Sequence, residues 1–296
     1  MYQTWLLFAI LSPALYAVNN LVDKHFLSNL SANSRAYLFI ILSCQFVYSG
    51  ILAAIHPLSF SRSQVLVGPL VGFLLYLGLW TYLSALAQEQ ASTVVSITLL
   101  CPVAVAILAS YLLQEILMTR QYLGIALLVF GATLVTWRNT LRTDRRSISN
   151  AISLLLLFSV VAILEKWALG SSDYYSFYFL TNAGAMLSAS FSLCLNPVRN
   201  SLVNLLHQMK TRGAIPVVAL NESANCMAQL CLFVALAQGP VTAVNAISSF
   251  QLVFVIIYAV ALGLFLPQFR EAVNKKGLLQ KILGAFTMLF GAYLLA

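Results

Sequence analysis

The sequence predicts an all-α membrane protein of ten transmembrane helices, arranged as two inverted repeats of five helices each. Two observations carry this prediction, namely the composition and an internal duplication. Of the 296 residues, 61% are hydrophobic and 8% are charged, whereas soluble domains carry roughly 25% charged residues. The mean hydropathy is +0.90. So much apolar surface needs a lipid environment, which makes the bilayer a partner of the chain.

The duplication is visible as repeated segments at constant offsets. The run Ala85–Gln88 recurs as Ala235–Gln238, 150 residues later, within apolar surroundings in both copies. A glycine pair recurs with an offset of 160: Gly124 and Gly131, then Gly284 and Gly291. Repetition at a fixed period indicates that one structural unit occurs twice.

Ten apolar runs are long enough to span a hydrocarbon core of about 30 Å, which takes roughly 20 helical residues. They lie near residues 4–22, 36–56, 65–87, 91–112, 121–137, 150–168, 174–195, 214–237, 241–264 and 279–296. The first run, Trp5–Val22, has no charge before it and no small-residue cleavage site after it. We therefore expect a retained helix rather than a signal peptide.

The longest polar break divides the chain into a first repeat, 1–137, a basic linker, 138–149, and a second repeat, 150–296. Because each repeat has an odd number of spans, the second must enter the membrane with the opposite polarity. Inverted repeats of this kind build the midplane sites of many secondary transporters.

Two further breaks are candidates for helices that lie in the membrane interface, or for ordinary solvated loops. Pro197–Arg212 has apolar residues at helical spacing with basic residues available for lipid headgroups. Pro267–Lys276 is similarly charged.

The positive charge predicts topology. Of the 16 Lys and Arg residues, all but Arg62, Arg120 and Lys166 fall on the side reached after odd-numbered spans. The positive-inside rule places that side in the cytoplasm and both termini outside. Since the charge is explained in this way, a nucleic-acid partner is not expected.

No enzymatic or cofactor motif is present in the sequence. The five cysteines lie in apolar runs without CxxC spacing, and the three histidines are scattered, so we expect neither a metal site nor a disulfide framework. No glycine-rich phosphate loop and no GxSxG elbow occurs. The sequence therefore predicts a protein that is not an enzyme and needs no cofactor.

The candidate substrate-binding residues are polar or aromatic side chains inside the predicted spans, where polar groups usually face a cavity or a partner helix. The eighth span is densest, with amides at every fourth position and one carboxylate. The candidates are Tyr16, Asn19, Asn20, Tyr76, Trp80, Ser96, Asn221, Glu222, Asn225, Gln229 and Asn245. Tyr76 and Trp80 either line the cavity or belong to an aromatic core.

Charged residues near the ends of the first and sixth spans form two equivalent acid-base clusters, Asp23 with Lys24 and Glu165 with Lys166. One hypothesis is that they gate the cavity by forming and breaking ion pairs. The alternative is that their charged tips reach headgroup water.

The segment from Ala85, ALAQEQASTVVSITLLCPVAVAILASYLLQE, followed by Gly124 and Gly131, resembles the EamA-like family of the drug/metabolite transporter (DMT) superfamily. Pro102 and Glu115 occupy the family's mid-helix proline and glutamate positions, although Leu252 stands where the proline would repeat. The resemblance implies a central cavity surrounded by spans one to four and six to nine, with the fifth and tenth at the periphery. It also implies cytoplasmic termini, whereas the charge distribution favours external ones.

We therefore expect a secondary transporter that moves a small polar or amphipathic metabolite, such as an amino acid, an amine or a derivative, by alternating access. Glu222 is the carboxylate predicted deepest in a span, so a cationic or zwitterionic substrate or a coupling proton is its expected partner. We expect a monomer or homodimer in a bacterial inner membrane. The alternatives are a lipid-headgroup flippase or other membrane-embedded lipid-handling protein, and a channel.

Overall fold

The computed structural model describes residues 4–29, 33–88, 101–115, 118–136, 145–170, 173–265 and 275–295. This part of the chain is all-helical, without strands, as predicted. Its helices are α1 Thr4–Asn29, α2 Ser34–Ile55, α3 Arg62–Gln88, α4 Cys101–Leu112, α5 Thr119–Thr136, α6 Arg145–Leu169, α7 Tyr174–Ser192, α8 Asn196–Thr211, α9 Ile215–Gln238, α10 Val241–Ser248, α11 Gln251–Phe265 and α12 Lys275–Leu295.

Six spans among the described residues are long and apolar enough to cross a membrane. A seventh is obtained if α7 and α8, bent by 108° at their junction, count as one. Two apolar helical stretches, Cys101–Leu112 and Ile282–Gly291, are shorter than a full span. The chain is thus a multi-pass membrane protein. The N-terminal half of the predicted fourth span lies outside the described residues.

The ninth predicted span is interrupted, which the apolar pattern did not indicate. The break falls between α10 and α11, where Ser249 N donates to Ala246 O (3.1 Å) and Phe250 N to Ile247 O (2.9 Å). These bonds reach back three residues instead of four and tighten the turn. The sixth span also differs, since α6 begins at Arg145, inside the predicted linker.

Of the two alternatives for Pro197–Arg212, a helix or a solvated loop, the structure has the helix: α8 spans Asn196–Thr211 and has proline in its first turn. Val198, Leu205 and Met209 are buried in the same cluster as α2 residues, while Val203 is 63% exposed. The helix is therefore amphipathic, and its apolar face covers one end of α2. Most of the second candidate, Pro267–Lys276, lies outside the described residues.

The recurring glycines pack α5 against α12. A Cβ at Gly131 would lie 2.7 Å from Gly284 O, and a Cβ at Gly291 would lie 2.7 Å from Gly124 O. The contact is reciprocal, and it brings the two backbones closer than any larger side chain allows. The glycines that the sequence repeats are therefore the positions at which these two helices touch.

A second close contact joins α3 to α7. A Cβ at Gly184 would lie 2.5 Å from Pro69 O, and a Cβ at Gly72 would collide with Thr181 O and lie 2.5 Å from Ala185 N. Elsewhere α1 packs on α9, α6 on α3 and α2 on α7. These helices surround a central cavity.

Candidate functional site

A cavity of about 270 Å³ lies at the centre of the bundle. Residues of α1, α2, α3, α4, α6, α7, α9, α10 and the start of α11 line it, whereas none of the described lining residues comes from α5, α8 or α12. Small-molecule sites have volumes of about 300–1,000 Å³, and this cavity lies just below that range. It therefore suits a ligand at the small end of the range.

Six residues named from the sequence line this cavity together. They are Tyr16, Asn20, Glu165, Asn225, Gln229 and Asn245. They come from α1, α6, α9 and α10, which are far apart in the sequence. Five of these residues were candidates for binding substrate, whereas Glu165 was assigned to a gating cluster with Lys166.

Other predicted residues lie elsewhere. Tyr76 is buried in an apolar cluster, and the Trp80 ring lies 4.0 Å from the Arg35 guanidinium carbon. Neither is among the lining residues, where Tyr16, Tyr82 and Phe158 supply the aromatic groups. Ser96 lies outside the described residues.

Four of the predicted residues form a buried network between α1 and α9, beside the cavity. Asp23 accepts from Tyr37 Oη (2.8 Å) and from Asn221 Nδ2 (3.2 Å). With its side-chain amide oriented to suit these neighbours, Asn19 donates from Nδ2 to Asn221 Oδ1 (3.0 Å). Asn221 Nδ2 also lies 3.4 Å from Glu222 Oε1, so one amide nitrogen joins two carboxylates.

Glu222 is 1% exposed, and amide groups surround its carboxylate. Its Oε2 accepts from Gln45 Nε2 (2.7 Å) and Asn225 Nδ2 (2.9 Å). Gln45 Nε2 also donates to Glu222 O (2.8 Å), and Gln45 Oε1 accepts from Tyr178 Oη (2.5 Å). This amide cage satisfies the carboxylate and ties α9 to α2 and α7.

The acid-base clusters are divided in this structure. Lys24 Nζ donates to Leu86 O (2.7 Å), while Lys166 Nζ donates to Leu236 O (2.8 Å) and Gly239 O (2.9 Å). Both lysines thus bind carbonyls at the C-terminal ends of helices, where cations are favoured. Consecutive helical residues point about 100° apart, so the adjacent acids face other neighbours.

Sequence reasoning missed Gln45, Tyr37, Tyr82 and Tyr178. Tyr82 Oη donates to Asn20 Oδ1 (2.7 Å), which orients an amide of the cavity wall. Gln45 carried a usable signal, since it is an amide in the middle of the apolar run of α2. The tyrosines carried none, because a buried tyrosine is common in any core.

Glu115 was recognised as a family position without a role, and the structure gives it one. Its carboxylate accepts from Val241 N (3.0 Å), Thr242 N (3.4 Å) and Thr242 Oγ1 (2.9 Å). It therefore caps the N-terminus of α10, which bears Asn245.

We expect Glu115→Ala to lower the free energy of unfolding by about 1–2 kcal/mol, the usual cost of losing a helix cap. Thermal unfolding of the purified protein measures the loss. Ser110→Ala, which removes a hydroxyl bonded to Ile107 O within its own helix, should stay within about 0.5 kcal/mol. Equal effects of the two variants would contradict the capping role.

Residues 3–137 match the sequence model of the EamA-like transporter family. No curated protein matches the chain. A solved structure, described as the crystal structure of a protein, is similar with a TM-score of 0.65 and 13% sequence identity, and the alignment covers 96% of each chain. A likeness at this identity concerns the fold alone.

Proposed function

Because residues 3–137 belong to the EamA-like transporter family of the DMT superfamily, we propose that this protein is a secondary transporter working by alternating access. Its substrate is a small polar or amphipathic metabolite, such as an amino acid, an amine or a derivative. The observation that carries the proposal is the central cavity, where polar residues of α1, α6, α9 and α10 converge between apolar walls.

The proposed architecture is ten spans in two inverted five-helix repeats, with boundaries at 1–137 and 150–296. Two pairs of equivalent contacts support it. Lys24 binds Leu86 O and Lys166 binds Leu236 O; the two leucines differ by the 150-residue offset, and the two lysines lie near the ends of the equivalent first and sixth spans. The reciprocal glycine contacts between α5 and α12 obey the same relation.

The proposed repeat suggests how access to the central cavity could pass from one side of the membrane to the other. It makes α2 equivalent to α7 and α3 equivalent to α9, so the α3–α7 contact corresponds to the α9–α2 contact. In this structure the first is a backbone contact at Gly72 and Gly184, while the second is the polar bridge between Gln45 and Glu222. With the 150-residue offset, Gly72 and Glu222 are equivalent positions. We propose that the two contacts open in alternation.

The proposed setting is a bacterial inner membrane. The proposal includes a coupling proton as an additional partner and a monomer or homodimer as the working unit.

Cysteine labelling tests alternating access without knowledge of the substrate. In a protein whose five native cysteines have been replaced, we expect Asn20→Cys and Asn245→Cys to react with impermeant thiol reagents added from either side of membrane vesicles. Met227→Cys, on the 58% exposed outer face of α9, should stay unreactive in lipid. Reaction of both cavity positions from one side alone, under every condition, would refute the proposal.

A further inference from the structure

Glu165 has no hydrogen-bond partner for its carboxylate among the described residues, although its side chain is 4% exposed and lines the cavity. The other buried carboxylates of the described chain differ. Asp23 accepts two hydrogen bonds, and Glu222 accepts three from amide nitrogens. An unpaired charge in apolar surroundings is costly. Glu165 is therefore the carboxylate of this cavity to which a ligand can supply a hydrogen-bond donor and a positive charge.

Among the described residues that line the cavity, no cation lies beside Glu165. Lys166, its neighbour in the sequence, donates to Leu236 O and Gly239 O. None of the described residues that line the cavity is a lysine, arginine or histidine, and Glu165 is the charged residue among those described. The lining thus carries a formal negative charge, which favours cations and disfavours anions.

The other residues that line the cavity indicate the chemistry of the uncharged part of the ligand. Tyr16, Tyr82 and Phe158, together with leucines of α3 and α9, form an apolar wall with aromatic rings, a surface that suits a cation with an apolar body. Three buried polar atoms that belong to lining residues have no partner, namely Asn20 Nδ2, Thr181 Oγ1 and Ser249 Oγ. Buried polar atoms are rarely left unpaired, so a ligand with a hydrogen-bonding group fits here.

We propose that the cavity binds an organic cation, whose ammonium group pairs with Glu165 and whose apolar part packs against the aromatic and leucine wall. This proposal rests on the proposed transport function and defines its substrate class as amines. It also moves the ligand-binding charge from Glu222, which the sequence favoured, to Glu165.

A series of phenethyl compounds that differ in charge tests the proposal: phenethylamine is a cation, 2-phenylethanol is neutral and phenylacetate is an anion. We expect phenethylamine to raise the melting temperature of the purified protein, because a ligand of the native state stabilises it by mass action. Its Kd should be roughly 30-fold or more below that of 2-phenylethanol, as for the loss of one partner of a buried charge pair. Phenylacetate should not bind.

Two substitutions separate charge from structure. Glu165→Gln keeps the size of the side chain and should abolish the preference for the amine, while Glu165→Asp keeps the charge and should retain most of it. Glu222→Gln should leave the preference for the amine over the alcohol in place. Size-exclusion profiles check that each variant is folded.

The proposal is overturned if the amine and the alcohol bind equally, if phenylacetate binds best, if none of the three binds, or if Glu165→Gln preserves the preference. It is also overturned if Glu222→Gln, rather than Glu165→Gln, removes the preference.

Labelling of Asn20→Cys and Asn245→Cys tests the proposed transport function separately, because it needs no amine. If both positions react from both sides but the charge series fails, alternating access stands and the cation assignment falls.

Discussion

Gly72→Leu is expected to trap the protein with α3 and α7 apart while the helical bundle remains folded. A Cβ at this position meets backbone atoms of Thr181, Gly184 and Ala185, which cannot move aside as a flexible side chain would. Overpacking costs about 1–3 kcal/mol, and 3 kcal/mol changes a two-state equilibrium roughly 100-fold. Labelling of Asn245→Cys should therefore become one-sided, with transport falling by a similar factor.

Gly50→Leu is the matched control for this prediction. Gly50 also lies in a spanning helix, but a Cβ there has no neighbour within 4 Å. The control should be labelled from both sides at the rate of the parent protein. If Gly72→Leu behaves in the same way as Gly50→Leu, the contact between α3 and α7 does not govern access.

The sequence predicted which residues are polar inside the membrane, but not what each one faces. Asn221, Asn225 and Gln229 share one face of α9 by their spacing. The structure divides them, since Asn225 and Gln229 line the cavity and Asn221 bonds to Asp23 on α1. Spacing along one helix fixes a direction around its axis, whereas the neighbour in that direction depends on how all the helices pack.

Glu165 and Glu222 illustrate the same limit. Depth within an apolar run made Glu222 the favoured carboxylate, and Glu165 was assigned to a cluster with Lys166. The structure gives Glu222 three amide donors and places Glu165 on the cavity. The donor Gln45 comes from a helix 177 positions away, a separation at which one sequence contains no pairing information.

The duplication was more informative, because repeated segments constrain three-dimensional structure directly. The equivalence of Gly124 with Gly284 and of Gly131 with Gly291 indicated that the two helices use matching faces. The structure adds that these faces contact each other. The break between α10 and α11 could not be predicted, since Ser248, Ser249 and Phe250 are all compatible with a continuous helix.

Glu222→Gln is expected to weaken both the fold and transport. Glu222 Oε2 accepts from Gln45 and Asn225, and Oε1 accepts from Asn221 (3.4 Å). An amide presents one oxygen and one NH2 group, so whichever way it is turned at least one of these three donors faces an NH2 group. Each such unsatisfied group costs about 1–3 kcal/mol, and the amide cage that joins α2 to α9 is weakened. Thermal unfolding and two-sided labelling of Asn245→Cys measure the two effects.

A double variant, Gln45→Glu with Glu222→Gln, separates loss of the bridge from loss of the carboxylate at position 222. The new carboxylate at position 45 accepts from Tyr178 Oη and from the new amide, which re-forms the side-chain bridge, while the main-chain oxygen of residue 222 loses the donor that Gln45 Nε2 supplies in the parent protein. Directly contacting residues show coupling energies of about 0.5–3 kcal/mol, so the second substitution should recover part of the lost stability and part of the two-sided labelling. If Glu222→Gln alone has the melting temperature and the two-sided labelling of the parent protein, the amide cage around Glu222 contributes nothing to access. If the double variant regains stability but not two-sided labelling, the charge at position 222 itself is required.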